Sequence, residues 1–253
     1  MKISVTVITK NEEANIERCL RSVPFADEIV VVDSGSEDRT MELARQFTDR
    51  VVFHEWEGHV RQKQHAVDIA AHDWILSLDA DEEVSPPLAA LIEAVKRDGP
   101  RHDAYTVRRK ALYLGKWIEH SGWYPDTRIR LFDRRRARWG GYDPHDEVVC
   151  DGAVGALAGD LLHYSYRDMA HHLQTINNYT SIMADRFYEK GKRASVADLL
   201  FRPPYAFVKK YFFQLGLLDG AHGLIVCLLS AYYVFCKYAK LWEKQRNASQ
   251  CAR

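Results

Sequence analysis

The chain has 253 residues, of which 47% are hydrophobic, and its 35 basic and 35 acidic residues give a formal net charge of zero. This length allows one large domain, or one domain with an appendage, to bury a core. The balanced charge argues against a general nucleic-acid-binding protein, and the hydrophobic content argues against extended disorder. Five scattered cysteines with no CxxC pair fit a reducing compartment and support neither a disulfide framework nor a zinc site.

The first hundred residues alternate between strand-like and helix-like patterns, and no secretory signal pattern precedes them, so a cytosolic protein is expected. Strands are predicted at 3–8, 28–33, 51–53 and 74–78, and helices around 16–23, 43–47, 60–71 and 86–95. Ser36 and Asp38 are candidate caps for the second helix. Four strand–helix alternations with short connections predict a parallel α/β sheet, in which ligands bind beyond the carboxyl ends of the strands.

The most informative stretch is residues 74–83, where an apolar strand ends in Asp79 and Asp81. Residues two apart in a strand point the same way, so both carboxylates can face one spot, and their oxygens suit Mg²⁺ or Mn²⁺. A solvated acidic turn is the competing interpretation. Two other predicted strands also end in polar residues, at 9–12 and 33–38. Because these ends share one edge of a parallel sheet, the pattern favours the metal site.

After residue 100 the pattern changes. Strands are predicted at 104–107 and 128–132, with an aromatic loop at 117–124 between them and a turn-rich stretch at 140–146. Arg130 lies on the same strand face as Arg128, and its guanidinium suits a diphosphate or an anionic acceptor. From about residue 167 the chain is predicted to be helical, with an interruption at Pro203 and Pro204.

The C-terminal third combines an apolar segment with basic flanks. Residues 221–236 are sixteen residues without a formal charge, fewer than the roughly 20 that a spanning helix needs. Residues 187–246 hold ten Lys or Arg against four Asp or Glu. This pattern favours a helix in an anionic membrane interface over a core helix or an oligomer contact, and a short inserted hairpin is also compatible with it.

The motifs at 7–12, 31–38 and 78–82, in this order and spacing, resemble family 2 glycosyltransferases of the GT-A fold. The segments 130–132, 144–146 (Pro-His-Asp) and 162–166 extend the resemblance to about residue 166. Together with the apolar tail, they are similar to bacterial transferases that add a hexose to the heptose of the lipopolysaccharide inner core. The resemblance implies a Rossmann-like, mostly parallel central sheet flanked by helices. It also implies a catalytic domain over 1–166, with a nucleotide-sugar half at about 1–100 and an acceptor half at about 101–166, and a helical, membrane-associated region over 167–253.

The resemblance also implies roles for individual residues. Asp81 is the expected main metal ligand, Asp79 a second, and His163 a further metal or diphosphate contact, against the alternative of a satisfied core histidine. Asp146 is the expected catalytic base, with Glu147 as runner-up because many relatives have Glu there. Nucleotide contacts are implied for Thr9, Asn11, Glu12, Asp33, Ser36, Gln64, Asp79 and Arg130.

The predicted function is therefore a metal-dependent, inverting hexosyltransferase. It would use Mg²⁺ or Mn²⁺ to neutralise the leaving diphosphate and move glucose from UDP-glucose to a lipid-linked lipopolysaccharide core, at the cytoplasmic face of the inner membrane. A transferase acting on a polyprenyl phosphate is the nearest rival, because an ionised acceptor has less need of Asp146. A phosphatase of the Asp-x-Asp type would use Asp79 as its nucleophile, but this sequence lacks the Thr that such enzymes usually have two residues further on. A sugar-nucleotide-binding membrane scaffold is the non-enzymatic alternative.

Overall fold

A computed structural model of the chain describes residues 1–142 and 145–251, and the side chains of residues 1–142 and 145–248. The chain forms two compact units. One unit consists of Met1–Lys110 and Asp126–Tyr164, and the other of Ala111–Pro125 and the chain from Ser165 onward. The predicted division into a catalytic domain over 1–166 and a C-terminal region over 167–253 stays a prediction.

The first unit is built on a mixed sheet with the strand order β3-β2-β1-β4-β8-β6-β11-β5. The predicted parallel arrangement is confirmed for β3, β2, β1 and β4, whereas β8 pairs antiparallel with both β4 and β6. No helical crossover separates β6 from β8, so the chain can return beside itself in the opposite direction. Numbered along the whole described chain, the strands are β1 (Ile3–Thr9), β2 (Glu28–Asp33), β3 (Val51–Phe53), β4 (Trp74–Asp79), β5 (Glu82–Val84), β6 (Ala104–Tyr113), β7 (Lys116–Trp117), β8 (Asp126–Asp133), β9 (Ala137–Tyr142), β10 (His145–Cys150) and β11 (Val154–His163).

Helices cover both faces of the parallel strands, which explains why β1 is buried along its whole length. Alternate β1 residues, such as Val5 and Val7, belong to the core shared with α1, α2 and α4, whereas Ile8 packs in a cluster with Ala66 of α3. The predicted start of α4 at paired prolines is confirmed, and Ser85 caps it. The helices are α1 (Ile16–Arg21), α2 (Thr40–Ala44), α3 (His59–Asp68), α4 (Pro86–Asp98), α5 (Met169–Glu189), α6 (Val196–Val208) and α7 (Gly220–Cys251).

Strands β9 and β10 form a separate antiparallel pair across the stretch predicted as a turn. The sequence analysis did not predict these two strands, because the glycines of this stretch disfavour a strand. Gly141 pairs with Asp146 and has a φ of +82°, which a residue with a side chain rarely adopts. Pro144, part of the predicted Pro-His-Asp motif, lies outside the described residues.

The second unit is mainly helical, and α7 packs against both α5 and α6. The predicted interruption at Pro203 and Pro204 is wrong, because both residues lie inside α6. Proline fixes φ near its helical value, so the pair removes backbone donors without forcing the helix to end. The regular helix gives way later, at a π-helical turn (Lys209–Phe213) followed by Leu215 with a φ of +55° and a 3₁₀ turn (Gly216–Asp219).

The segment predicted to contact a membrane, residues 221–236, lies within α7. Within the described residues, Gly216–Ala248 is the one helical stretch whose length and composition would allow it to cross a membrane, and its most apolar 18 residues have a mean hydropathy of 1.5.

Candidate active site

Three polar strand ends meet at one edge of the sheet. In the parallel register, Thr9 of β1 pairs with Asp33 of β2, and Ile8 pairs with Asp79 of β4. The polar residues that follow β1, β2 and β4 therefore start from adjacent positions, as the sequence predicts.

The loops after β1 and β2 are hydrogen-bonded to each other. The Asn11 N–H donates to Ser36 Oγ at 2.8 Å, and Asn11 Oδ1 accepts from the Glu37 N–H at 2.8 Å. The Glu12 N–H donates to Thr40 Oγ1 at 2.8 Å. Asn11 has a φ of +55°, a conformation that asparagine tolerates better than most residues. These contacts bring the predicted nucleotide residues Asn11, Glu12 and Ser36 into one loop cluster.

Asp33 is buried, and its carboxylate shapes its own loop. One oxygen accepts hydrogen bonds from the N–H groups of Gly35 and Ser36, at 2.8 and 2.9 Å, and the other accepts from the Ser36 hydroxyl. Ser36 therefore does not cap α2. The Asp38 carboxylate accepts hydrogen bonds from the backbone N–H groups of Thr40 and Glu13. The predicted contact of Asp33 with the nucleotide stays a prediction.

Thr9 has a buried hydroxyl at the carboxyl end of β1. Within the described residues, its Oγ1 has no hydrogen-bond partner. A buried hydroxyl without a partner costs free energy, so this atom is well suited to a ligand that supplies one.

Lys63 on α3 is the residue that the sequence analysis missed. Its side chain is 4% exposed, and its ammonium lies 2.8 Å from Asp79 Oδ1 and 2.8 Å from Asp146 Oδ2. The ammonium also lies 4.7 Å from the centroid of the Trp139 ring, a favourable cation–π distance. Helical periodicity would have found it, because Lys63 precedes Ala66 and Val67 by one turn, on the buried face of α3.

Gln64, which the sequence analysis chose from the same helix, has another environment. Its Nε2 donates to Asp68 at 2.7 Å, and its Oε1 accepts from the Trp139 N–H at 2.9 Å. Gln64 thus ties α3 to β9. The neighbouring Gln62 is fully buried and donates to Ser34 Oγ at 2.8 Å.

Arg130 is buried among carboxylates. One of its Nη atoms lies 2.6 Å from Glu82 Oε1 and 3.2 Å from Asp79 Oδ2. Burial alone would lower the pKa of Arg130, but the charges of Glu82 and Asp79 outweigh burial and raise it. Glu82 in turn accepts from the Asp79 N–H at 3.0 Å and lies 3.7 Å from Arg109.

Asp79 therefore sits between two cations. Burial raises the pKa of its carboxyl, but the nearby charges of Lys63 and Arg130 have the larger combined effect and hold the pKa well below its usual range. The carboxylate that the sequence analysis assigns to the metal and the nucleotide is thus ion-paired on both sides.

Asp81 has a different partner. Its Oδ2 lies 3.2 Å from Nε2 of His163. Burial raises the pKa of Asp81, but the charge and the hydrogen bond of His163 together outweigh burial and lower it. The described residues contain no group of three or more His, Cys, Asp or Glu side chains that could hold a metal. Mg²⁺ is commonly held by one or two carboxylates together with substrate phosphates, so the Asp81–His163 pair fits a cation that a diphosphate helps to bind.

Asp146 reaches this cluster from the β9–β10 hairpin. Burial raises its pKa, but the charge and the hydrogen bond of Lys63 together outweigh burial and hold the pKa below its usual value. Glu147 is exposed, and as the next residue of the strand it points to the opposite face. Of the two candidates for the base, Asp146 is the one that lies near Asp79 at the end of β4, with the Lys63 ammonium between the two carboxylates.

Comparisons with known proteins identify the family of the chain. The family model for glycosyl transferase family 2 matches residues 4–153. The chain is 30% identical over 251 residues to the lipopolysaccharide core biosynthesis glycosyltransferase LpsC of Rhizobium meliloti, an alignment that covers 96% of this chain and 93% of LpsC.

Two solved structures share the fold. The mannosyltransferase PcManGT from Pyrobaculum calidifontis, solved with GDP-Man and Mn²⁺, has a TM-score of 0.53 at 16% identity and covers 96% of this chain and 88% of its own. The glucosyl-3-phosphoglycerate synthase from Mycobacterium tuberculosis, solved with phosphoglyceric acid, has a TM-score of 0.50 at 18% identity, with coverages of 77% and 81%. These likenesses confirm the predicted GT-A fold. The chain belongs to glycosyl transferase family 2 and is a glycosyltransferase.

Proposed function

We propose that the protein transfers a hexose from a nucleoside diphosphate sugar to a sugar hydroxyl of the lipopolysaccharide core, with glucose from UDP-glucose as donor and heptose as acceptor. The observation that carries the proposal is the shared contact of Lys63 with Asp79 and Asp146. This contact supports Asp146 as the base, because Lys63 joins it to Asp79 at the end of β4. The role of LpsC in lipopolysaccharide core biosynthesis supports the acceptor class.

The reaction assigns one task to each part of the cluster. Asp146 takes the proton from the acceptor hydroxyl as that oxygen bonds to the anomeric carbon, while the bond to the diphosphate breaks on the opposite side and the configuration inverts. An aspartate carboxylate is ionised at neutral pH, as a base must be, and the ion pair with Lys63 keeps it in that form. The same ion pair makes the carboxylate a weaker base, so Asp146 becomes more basic when it separates from Lys63.

The departing diphosphate needs positive charge. Asp81 and His163, with Asp79 as the second carboxylate of the motif, are the residues we assign to Mg²⁺ or Mn²⁺, which when bound neutralises the leaving group. Lys63 and Arg130 supply fixed positive charge in the same cluster. The nucleotide contacts are assigned to Thr9, Asn11, Glu12, Asp33, Ser36 and Gln64.

The acceptor would be lipid-linked, so the enzyme would work at the cytoplasmic face of the inner membrane. In this proposal residues 1–166 carry catalysis, and residues 167–253 associate with the membrane surface. The apolar, basic-flanked C-terminal third supports this assignment.

A panel of sugar nucleotides tests the proposal. Purified protein is incubated with each donor and heptose-terminated lipopolysaccharide, with Mn²⁺, Mg²⁺ or a chelator, and both nucleotide release and the mass of the acceptor are measured. UDP-glucose with metal should give a hexose adduct. Nucleotide binding without transfer to any acceptor would instead favour the scaffold alternative.

Asp146→Asn separates the hydroxyl acceptor from a polyprenyl phosphate. Loss of a general base costs about 10²–10⁴ in turnover, so the variant should lose that much while its affinity for UDP, measured by calorimetry, stays unchanged. The matched control is Glu147→Gln, which removes a neighbouring exposed carboxylate and should retain turnover. Full activity of Asp146→Asn on polyprenyl phosphate would support the rival.

A further inference from the structure

Helix α6 presents its apolar side chains to the outside. None of its 13 residues is buried. The strongly exposed apolar positions are spaced four, five, nine and twelve residues after the first, and at about 100° per residue they spread over half of the helix circumference. These residues, here called the α6 face, are Val196, Leu200, Phe201, Tyr205 and Val208. A water-soluble helix would have the opposite orientation, with this face inward.

The other side of α6 meets its own unit. Arg202, one turn from Asp198, places its guanidinium 4.8 Å from the ring centroid of Tyr238 on α7. Asp198 is occupied by Arg202 and by the capping box with Ser195. The polar residues of the helix are thus used in internal contacts, whereas the side chains of the α6 face are 40% to 70% exposed.

The exposed apolar surface continues past the helix. In the π-helical turn Phe213 is 80% exposed and Phe212 is 52% exposed, and Leu215, Leu217 and Leu218 follow with large exposed fractions. Contiguous exposed surface of this kind marks an interaction site.

Basic residues border this surface. Lys190, Lys192 and Arg193 are exposed just before α6, and Lys209 is exposed just after it. Residues 190–210 hold six Lys or Arg and one Asp. Apolar aromatic and leucine side chains with a basic border complement the headgroups of anionic lipids.

We propose that the α6 face, with the turns that follow it, lies in the surface of an anionic bilayer. At 1.5 Å per residue α6 is about 20 Å long, too short to cross the roughly 30 Å hydrocarbon core, so it lies parallel to the membrane plane. The proposal rests on the proposed function in one respect: a lipid-linked acceptor would reside in the same membrane. It assigns the contact to α6 rather than to the apolar segment of α7.

Vesicle binding tests the assignment with matched substitutions. The test variant is Val196→Ser with Phe201→Ser, at positions 59% and 70% exposed. The control is Val154→Ser with Phe53→Ser, which makes the same chemical changes at 44% and 62% exposed positions of the other unit. Both full-length proteins are sedimented with vesicles of phosphatidylglycerol and phosphatidylcholine in equal parts.

The test variant should bind at least about tenfold more weakly, whereas the control should bind like the native protein. Binding of the native protein should also weaken at high salt and on pure phosphatidylcholine. Equal vesicle binding by native protein and test variant would overturn the proposal. So would a change of the test variant from dimer to monomer in light scattering without a change in vesicle binding, because that outcome identifies a second copy as the occupant.

The two proposals fail in different ways. Vesicle binding requires no sugar, so it stands if the donor or the acceptor is misassigned. If hexosyl transfer is correct, the test variant should keep its turnover on a deacylated, water-soluble core acceptor and lose turnover only on acceptor embedded in vesicles.

Discussion

Replacing Lys63 with methionine removes the charge that joins Asp79 to Asp146 while keeping a side chain of similar length. In the native protein the ammonium contacts both carboxylates at 2.8 Å, and the lysine side chain is 4% exposed. The substitution leaves the partly buried Asp146, whose side chain is 17% exposed, without its cation, whereas Asp79 keeps Arg130 at 3.2 Å.

The magnitude follows from that asymmetry. Removing one partner of a buried ion pair costs about 3–5 kcal/mol, because the remaining charge stays desolvated. One of the two carboxylates keeps a cation, so the expected loss in the free energy of unfolding at pH 7 is near the lower limit, about 3 kcal/mol. The depressed pKa values of Asp79 and Asp146 contribute stability that is present above the pKa of about 4 of an unfolded Asp, and that is lost as the pH falls through their folded values. The difference between native and variant should therefore shrink below about pH 4.

Urea unfolding followed by circular dichroism at a series of pH values measures this difference. Lys96→Met is the control, because Lys96 pairs with Asp27 at 2.8 Å with both side chains 26% exposed, and a pair of this kind contributes up to about 1 kcal/mol. A Lys63→Met protein that is as stable at pH 7 as the Lys96→Met protein would refute the reasoning, as would a difference that does not depend on pH.

Three further predictions follow from single contacts. Asp81→Asn should lower metal-dependent turnover about 100-fold while retaining the fold, as measured by Mn²⁺ titration of activity alongside circular dichroism. Normal turnover of this variant at the Mn²⁺ concentration that the native protein requires would exclude Asp81 as a metal ligand. Gln62→Leu should cost about 2 kcal/mol in urea unfolding, because it leaves the buried Ser34 hydroxyl without its donor, and an unchanged midpoint would contradict this. Burial, with a smaller effect of the charge of His171, lowers the pKa of His172 to about 4. The free energy of unfolding of the native protein should therefore fall as the pH drops from about 6.5 to 4. His172→Leu should make the free energy of unfolding, measured by urea titration, depend less on pH in this range.

The parallel half of the sheet was predictable because its signals are local. Apolar runs such as Val30, Val31 and Val32 identify buried strands, and helical spacing identifies the segments between them. The chain order of these elements then places Thr9, Asp33 and their neighbours at one edge.

The charge pairing within the site was not predictable in the same way. Which carboxylate Lys63 contacts depends on the packing of α3 against β4 and on the hairpin that carries Asp146, and these elements are far apart in sequence. The prediction that Pro203 and Pro204 interrupt the helix was wrong for a related reason. They disfavour a helix locally, but the Ser195 capping box and the packing against α7 outweigh that preference.

The hairpin of β9 and β10 has a consequence for how the protein tolerates change in chain length. Within the described residues, these strands pair with each other and with no strand of the central sheet. An insertion or deletion between Tyr142 and His145 therefore does not shift the register of β1, β2 or β4. Chain length can vary where Asp146 is presented, while the strands that end at Thr9, Asp33 and Asp79 stay in alignment.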